Sequence, residues 1–290
     1  FKQKTAYEML RSLVGSEMCI RDRSELAACG VEARPVSGLA HVYQVEPEQR
    51  SALVRSAAAA SGRLYVQNLS SLLAAPALGV EPGMTVLDLA AAPGGKTLHL
   101  ACLMNNTGTL SAVESNRSRL YRLRYNLRRH GVTCCRTYLR DGRAVGRWCP
   151  GRFDRVLLDA PCSGEARLRT TAGGRRPNWS ETKIRQCAGK QRRLLASAIQ
   201  ACRPGGTVLY CTCSMAPEEN EAVVADVLEH FAEHVEVESV PLPAEAQKAA
   251  VPGLVHWRGR GFPAQLDRSV RILPDDDFDA FYMCRLKLRC

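Results

Sequence analysis

Apolar and polar positions are unevenly distributed along the 290 residues. From Val80 onward, apolar runs of strand length alternate with stretches of helical periodicity, which is the pattern of βαβ units around a parallel sheet. The runs 85–89, 109–113, 133–138, 153–158 and 207–211 read as strands, and 94–104, 116–130 and 182–202 as helices. A further helix opens at Ala216 or Pro217 and runs to about Phe231, with proline in its first turn and acids placed to suit the helix dipole. Between 241 and 263 the pattern dissolves into Pro, Gly and charge, as in a long connection. Order returns at 270–273 and 278–288, two closing strands separated by the turn-forming Pro274, Asp275, Asp276 and Asp277. Upstream, 68–78 suggests a helix leading into the sheet. Residues 24–67 read as the remnant of a smaller N-terminal domain plus a linker, so the main domain is placed at 68–290.

An apolar share of 46 % supports a sizeable core, and no run approaches the roughly 18–20 apolar residues of a membrane helix. A cytoplasmic protein without a membrane partner is expected. Thirteen cysteines at irregular spacings fit reduced thiols better than a disulfide framework. Cys134 and Cys135 are adjacent, Cys211 and Cys213 form C-x-C, and no C-x-x-C occurs, so no metal is expected. Residues 1–23 stand apart, because Met18-Cys19-Ile20-Arg21-Asp22 is what a transposon-type sequencing adapter encodes; they are read as an adapter-derived artefact, the native N-terminus then being missing. Without that segment's five basic and three acidic residues the net charge falls from +11 to +9. Such an excess is the electrostatic footprint of a protein that approaches phosphates.

The first strand of the alternating region ends in Asp88-Leu89-Ala90-Ala91-Ala92-Pro93-Gly94-Gly95-Lys96-Thr97, a small-residue turn feeding a helix. Such a turn lets a ligand approach backbone N–H groups closely. A Walker A loop would need Gly at position 90, and a dinucleotide fingerprint would need G-x-G-x-x-G, so both fit poorly. Glu114 ends the second strand, where an acid can accept from ribose hydroxyls. Asp141, just past the third strand, is a further contact for the adenine edge or the cofactor amine, or else a capping or solvated acid. Cys162 and Cys213 each fall where an apolar strand breaks into a loop, the place where an open parallel sheet carries its chemistry. If both strands belong to one sheet, the two thiols face one pocket; the alternative is two small apolar residues packed at strand ends.

Taken in order, these segments resemble one family. They are Val66-Gln67, the turn 88–97, Asp159-Ala160-Pro161-Cys162-Ser163-Gly164-Glu165, Asn178-Trp179-Ser180, and Thr212-Cys213-Ser214 followed by Glu218-Glu219-Asn220-Glu221. The chain resembles the Nop/Sun family of S-adenosylmethionine-dependent RNA 5-methylcytosine methyltransferases, over roughly 62–288. The resemblance implies an α/β, Rossmann-like class I methyltransferase fold, a mostly parallel seven-stranded sheet with helices on both faces, and 24–67 as part of an RNA-binding region. S-adenosylmethionine would lie against Asp88, Ala90, Ala91, Ala92, Pro93, Gly94, Gly95, Lys96, Glu114, Arg119, Asp141 and Asp159. By the same resemblance Cys213 is the nucleophile that adds to cytosine carbon 6, and Cys162 assists product release. Asp159 would hold ring nitrogen 3 and the exocyclic amine. Departures are Ala166 where relatives often carry Gly, the insert Thr171-Ala172-Gly173-Gly174-Arg175-Arg176, and Cys211 where Ser is common.

Carbon 5 of cytosine is a poor nucleophile, and thiolate addition at carbon 6 is the way to activate it. Arg167, Arg169, Arg175 and Arg176 follow Cys162 in a loop that would neutralise RNA phosphates, or simply be solvated, with Trp179 better suited to packing. The arginines at 117, 119, 122, 124, 128 and 129 spread around their helix and read mostly as solvated. The function that emerges is cytosine-5 methylation of ribosomal RNA by a monomer. Transfer RNA is the close alternative. A non-catalytic RNA-binding assembly factor, or a methyltransferase for protein or small molecules, fits the paired thiols less well.

Overall fold

The computed structural model describes residues 12–14, 24, 26–39, 41–164 and 180–290. Five parallel strands form the centre of the main sheet: β1 (Thr85–Asp88), β2 (Thr109–Glu114), β3 (Cys135–Leu139), β4 (Phe153–Asp159) and β5 (Cys202–Thr212). Their spatial order is β3-β2-β1-β4-β5, every neighbouring pair parallel, so the chain order reverses between β1 and β4. A ligand in such a sheet binds beyond the carboxyl ends of the strands at that switch point. The central strands are near-continuous apolar runs because helices cover both faces.

Alternation sends successive side chains to opposite layers. Leu87, Leu158 and Tyr210 face a core completed by α3 (Glu181–Ala201) and α4 (Glu221–Phe231). Val86, Leu157 and Leu209 face the other layer, which contains α1 (Gly95–Leu103) and the short helices Leu69–Leu72 and Ala74–Leu78. The helix α2 (Arg117–Arg129) buries Leu120, Leu123 and Leu127 and is capped by the Asn116 side chain, which accepts from the Arg119 N–H at 3.1 Å.

Beyond β5 the sheet turns antiparallel through β9 (Phe281–Leu288), which pairs β6 (Val235–Glu238) at one end and β8 (Val270–Ile272) at the other. The strand β7 (Ala250–Pro252) pairs β8, so the sheet has nine strands where seven were expected. The five parallel strands and the two closing strands expected at 270–273 and 278–288 are contained within it, and β6 and β7 are the additions. Residues 241–263 are therefore more than a connection: they hold the helix Ala244–Lys248, β7, and the hairpin His256–Trp257 with Arg260–Gly261. The helix expected from 216 or 217 begins at Glu221, because 217–220 form turns whose polar side chains are used elsewhere.

The N-terminal part has its own small core of Leu26, Val31, Val45, Leu53, Ala58 and Leu64. Its four-stranded sheet runs Arg34–Pro35, Val42–Gln44, Ser12–Val14, Tyr65–Gln67 in spatial order. Val36, Leu39 and Val42 pack into the main core, so this part is joined to the sheet domain through apolar contact. Among the described residues no helix is long and apolar enough to cross a membrane, and no group of three or more His, Cys, Asp or Glu could hold a metal ion.

Candidate active site

The turn after β1 is held open by its neighbours. Leu89 and Ala91 donate their N–H groups to the carbonyls of Leu157 and Val113, both at 2.9 Å. Arg119 Nη2 donates to the Ala92 carbonyl at 2.5 Å and Asn126 Nδ2 to that of Pro93 at 2.8 Å. Gly94 has φ +113°, a conformation that side chains rarely adopt, and a Cβ there would meet Leu123 Cδ1 at 2.9 Å. A Cβ on Gly95 would collide with the Gln67 side chain. The turn thus needs both glycines, for backbone conformation at one and close approach at the other.

Above it lies a cleft of about 300 Å³, at the small end of the range for small-molecule sites. Of the expected cofactor residues, Asp88, Ala90, Ala91, Ala92, Pro93, Gly95, Lys96 and Asp159 line it, together with Tyr65, Gln67, Asn68 and Ser71. Gly94 supports the turn from behind. Glu114 is buried at the end of β2, where its Oε1 accepts from the Asn116 N–H at 2.8 Å and its Oε2 lies 3.5 Å from Arg119 Nη1. Glu114 and Arg119 therefore border the turn without lining the cleft. Asp141 is exposed, caps the turn 142–144 and pairs with Arg143, whose hydrogen bond to it lowers its pKa. It too is absent from the cleft lining, in keeping with the capping alternative.

Asp88 is fully buried at the floor of the cleft. Thr97 Oγ1 donates to its Oδ2 at 2.7 Å, and its Oδ1 has no hydrogen-bond partner among the described residues. Burial pushes its pKa up to about 7, against the Thr97 hydrogen bond, with nearby Asp159 adding to the rise. An unpartnered buried carboxylate oxygen in a cleft walled by small residues is what a ligand with a hydrogen-bond donor or a positive charge would complete.

A second, smaller opening of about 70 Å³ adjoins the cleft and shares Asn68, Ser71, Lys96 and Asp159 with it. It adds Cys213 at the end of β5, and Asp279 and Phe281 at the start of β9. Lys96 Nζ donates to Asp159 Oδ2 at 2.7 Å and to Ser71 Oγ at 2.5 Å, and lies 5.4 Å from the Phe281 ring centroid. Burial works against the Lys96 ammonium, but Asp159, with Cys211 and Cys213 nearby, holds its pKa above the ordinary lysine value. Asn68 Nδ2 donates to Asp279 Oδ2 at 2.5 Å, and Ser70 Oγ to the Asp279 carbonyl at 2.7 Å.

The two thiols meet. Asp159 and Cys211 are partners in the parallel register of β4 and β5, so the loops that follow leave the sheet side by side. Cys162 Sγ and Cys213 Sγ lie 3.0 Å apart. The hydrogen bond to Cys213 is the main force raising the Cys162 pKa, with burial second. Cys213 reaches the small opening, and Cys162 stands behind it. Cys211 is fully buried with its Sγ 3.8 Å from Asp159 Oδ1, a packing residue beside the site.

Three residues that fix these loops carry no role in the sequence reading. Glu219, fully buried, accepts at Oε2 from the Ser163 N–H and from Gln191 Nε2, both at 2.9 Å, and at Oε1 from Ser214 Oγ at 3.2 Å. Gln191 Nε2 also donates to the Pro161 carbonyl at 3.0 Å. Asn220 Nδ2 donates to the Ser214 carbonyl at 2.8 Å, and Thr212 Oγ1 lies 2.6 Å from Asn220 Oδ1. The motif Glu218-Glu219-Asn220-Glu221 was the available signal, but only as part of a resemblance. The expected RNA contacts Arg167, Arg169, Arg175 and Arg176, with Trp179, lie outside the described residues.

The site can be set beside known proteins. A family model described as 16S rRNA methyltransferase RsmB/F matches residues 75–287. The ribosomal RNA small subunit methyltransferase F of Aeromonas salmonicida (strain A449) is 42 % identical over 202 residues, which are 68 % of this chain and 42 % of that protein. The tRNA (cytosine(49)-C(5))-methyltransferase of Pyrococcus abyssi (strain GE5 / Orsay) is 35 % identical over 227 residues, 78 % of this chain and 70 % of that one. Among solved structures, a methyltransferase homolog protein from Pyrococcus horikoshii superposes with TM-score 0.81 at 29 % identity, covering 98 % of this chain and 88 % of that one. The chain spans less than half the length of the small-subunit relative. With the family model covering most of the chain, and the fold that of a class I methyltransferase, this protein belongs to the RsmB/F family of methyltransferases.

Proposed function

We propose that the protein is an S-adenosylmethionine-dependent RNA cytosine-5 methyltransferase, acting on ribosomal RNA. The observation that carries this reading is the meeting of Cys162 and Cys213 at adjacent strand ends, beside an opening that joins the cleft above the glycine turn. Residues 88–96 would hold the cofactor, with Asp88 the buried acceptor and Glu114 bordering the turn rather than lining the cleft itself. Bound there, S-adenosylmethionine supplies an electrophilic methyl group.

The chain's own residues divide the remaining work. Cys213 Sγ forms a bond to carbon 6 of the target cytosine, and the electron pair displaced from the carbon 5–carbon 6 double bond becomes available at carbon 5. Carbon 5 then takes the methyl group and gives up its proton to solvent; the pair of that C–H bond re-forms the carbon 5–carbon 6 double bond as the Cys213–carbon 6 bond breaks and its pair returns to Sγ as thiolate. Cys162 is placed to assist that release from 3.0 Å behind the nucleophile. Asp159, held by Lys96, offers a fixed carboxylate that accepts from the exocyclic amine, and from ring nitrogen 3 once that nitrogen carries a proton in the adduct. That Cys213 is the thiol lining the opening favours this division over the reverse.

Transfer RNA is the second reading, favoured by the relative from Pyrococcus abyssi, of whose length the chain covers 70 %. Incubating the protein with labelled S-adenosylmethionine and total RNA from a strain lacking the enzyme separates the two by the size of the labelled RNA. Label in protein, or nowhere, would sink both. Cys213→Ala is expected to abolish transfer, and Cys162→Ala to accumulate a covalent protein–RNA adduct on denaturing gels. An adduct formed by Cys213→Ala would reverse the assignment of the two thiols.

A further inference from the structure

Away from the thiols, residues 115–140 contain eight arginines and no acidic residue. The segment comprises α2 and β3, the edge strand of the parallel sheet. With Leu120, Leu123 and Leu127 turned inward, Arg117, Tyr121, Arg124 and Arg128 recur at spacings of four, three and four, which places them along one exposed line. Tyr121 and Tyr125 are 58 % and 60 % exposed, and Tyr138 on β3 is also exposed. The side chains of Arg117, Arg122, Arg128 and Arg136 make no hydrogen bond or ion pair among the described residues. The line leads at its C-terminal end into a cleft of about 560 Å³ bounded by Arg63, Arg128, Arg129, His130, Asn105 and Asn106, whose lining contains no acid.

This arrangement works against the helix that carries it. Arg117 and Arg119 in the first turn oppose the helix dipole, and Arg124 repels Arg128 one turn on, each by a few tenths of a kcal/mol. Folding alone gives no reason to gather unpaired cations and exposed aromatics on one face. An anionic polymer does. Guanidinium groups without protein partners suit phosphate oxygens, and exposed tyrosines suit ribose and unpaired bases.

We propose that the arginine–tyrosine face of α2 and the basic cleft at its end are a docking track for RNA outside the chemical site. The proposal rests on the reading of the chain as an RNA methyltransferase and adds where RNA is held. The same helix buttresses the glycine turn through Arg119 and Asn126, so RNA bound along it lies on the cofactor side of the molecule.

The test compares the full chain with the triple variant Arg117→Ala, Arg122→Ala, Arg128→Ala. These side chains are exposed and alanine favours the helix, so an unchanged thermal melt is expected. Binding of a fluorescent RNA stem-loop, titrated at several salt concentrations, should weaken on the order of 10- to 100-fold. The slope of log affinity against log salt should flatten by about two. Unchanged affinity and slope in the folded variant would overturn the proposal. So would a variant that binds RNA normally but loses binding to phosphatidylglycerol vesicles, which would mark a membrane-facing surface. Failure of the wild-type chain to methylate any RNA while RNA binding stays arginine-dependent would sink the proposed activity and leave the track standing.

Discussion

At the scale of single residues, the site is organised by Glu219 more than by either thiol. One buried carboxylate holds the loop after β4 through Ser163 and Gln191, and the loop after β5 through Ser214. Removing it leaves the Ser163 N–H without its acceptor, at a cost of about 1–3 kcal/mol, reduces Gln191 Nε2 to its bond with the Pro161 carbonyl, and frees two loops that hold the sulfurs in register. Glu219→Ala should therefore lower kcat on the order of 10²-fold, the effect of a displacement of about 1 Å at a reacting centre. Glu219→Gln should recover part of it, since its carbonyl oxygen can still accept from Ser163 and Gln191. Single-turnover methylation with saturating RNA checks this, and equal rates for the two variants would show that the carboxylate does not set the thiols.

The residues of the site were unequally legible. Asp88, the glycine turn, Lys96, Asp159 and both cysteines lie in short contiguous motifs at strand ends, where type and placement agree. Asn68 and Asp279 are 211 positions apart and meet only because β9 inserts beside β5. Asp279 sits in a run of acids that reads as a turn, and nothing local separates it from its neighbours.

At the scale of elements, the parallel core was readable because buried strands are continuous apolar runs separated by long amphipathic helices. β6 and β7 were not, having four and three residues in segments rich in Pro and charge, and their strand character comes from pairing with β9 and β8. α1 carries a different consequence. His99, in its middle, is fully buried with neither ring nitrogen partnered among the described residues, and burial, aided by His41, lowers its pKa to about 3. The native chain thus refuses a proton that the unfolded chain takes up below its ordinary value near 6.5. Stability supplied by the neutral ring is present above that value and is lost as pH falls towards about 3, at up to ~1.4 kcal/mol per pH unit. His99→Leu should remove this component, so urea midpoints of wild type and variant should diverge on acidification. Parallel pH profiles would show that His99 titrates alike in both states.

At the scale of the whole molecule, the main sheet and the N-terminal sheet meet at one strand. Tyr65–Gln67 belongs to the small sheet, yet Tyr65 and Gln67 line the cleft proposed to hold the cofactor and Asn68, next in the chain, reaches the thiol opening. Ser12–Val14 is hydrogen-bonded between this strand and Val42–Gln44. The adapter-like reading of 1–23 and this pairing make distinct predictions for a chain lacking those residues. On the adapter-like reading the main unfolding transition, carried by described core residues between Val36 and Leu288, should stay within a few degrees of the full chain. The amides of 42–44 and 65–67 that face the lost strand should exchange with solvent faster, and binding of S-adenosylmethionine should weaken modestly as Gln67 and Asn68 lose their anchor. Hydrogen exchange read by mass spectrometry, with calorimetric titration of the cofactor, tests both. If exchange at 65–67 and cofactor affinity are unchanged, the central strand contributes nothing to the site; if the main transition collapses, 1–23 is part of the fold that carries it.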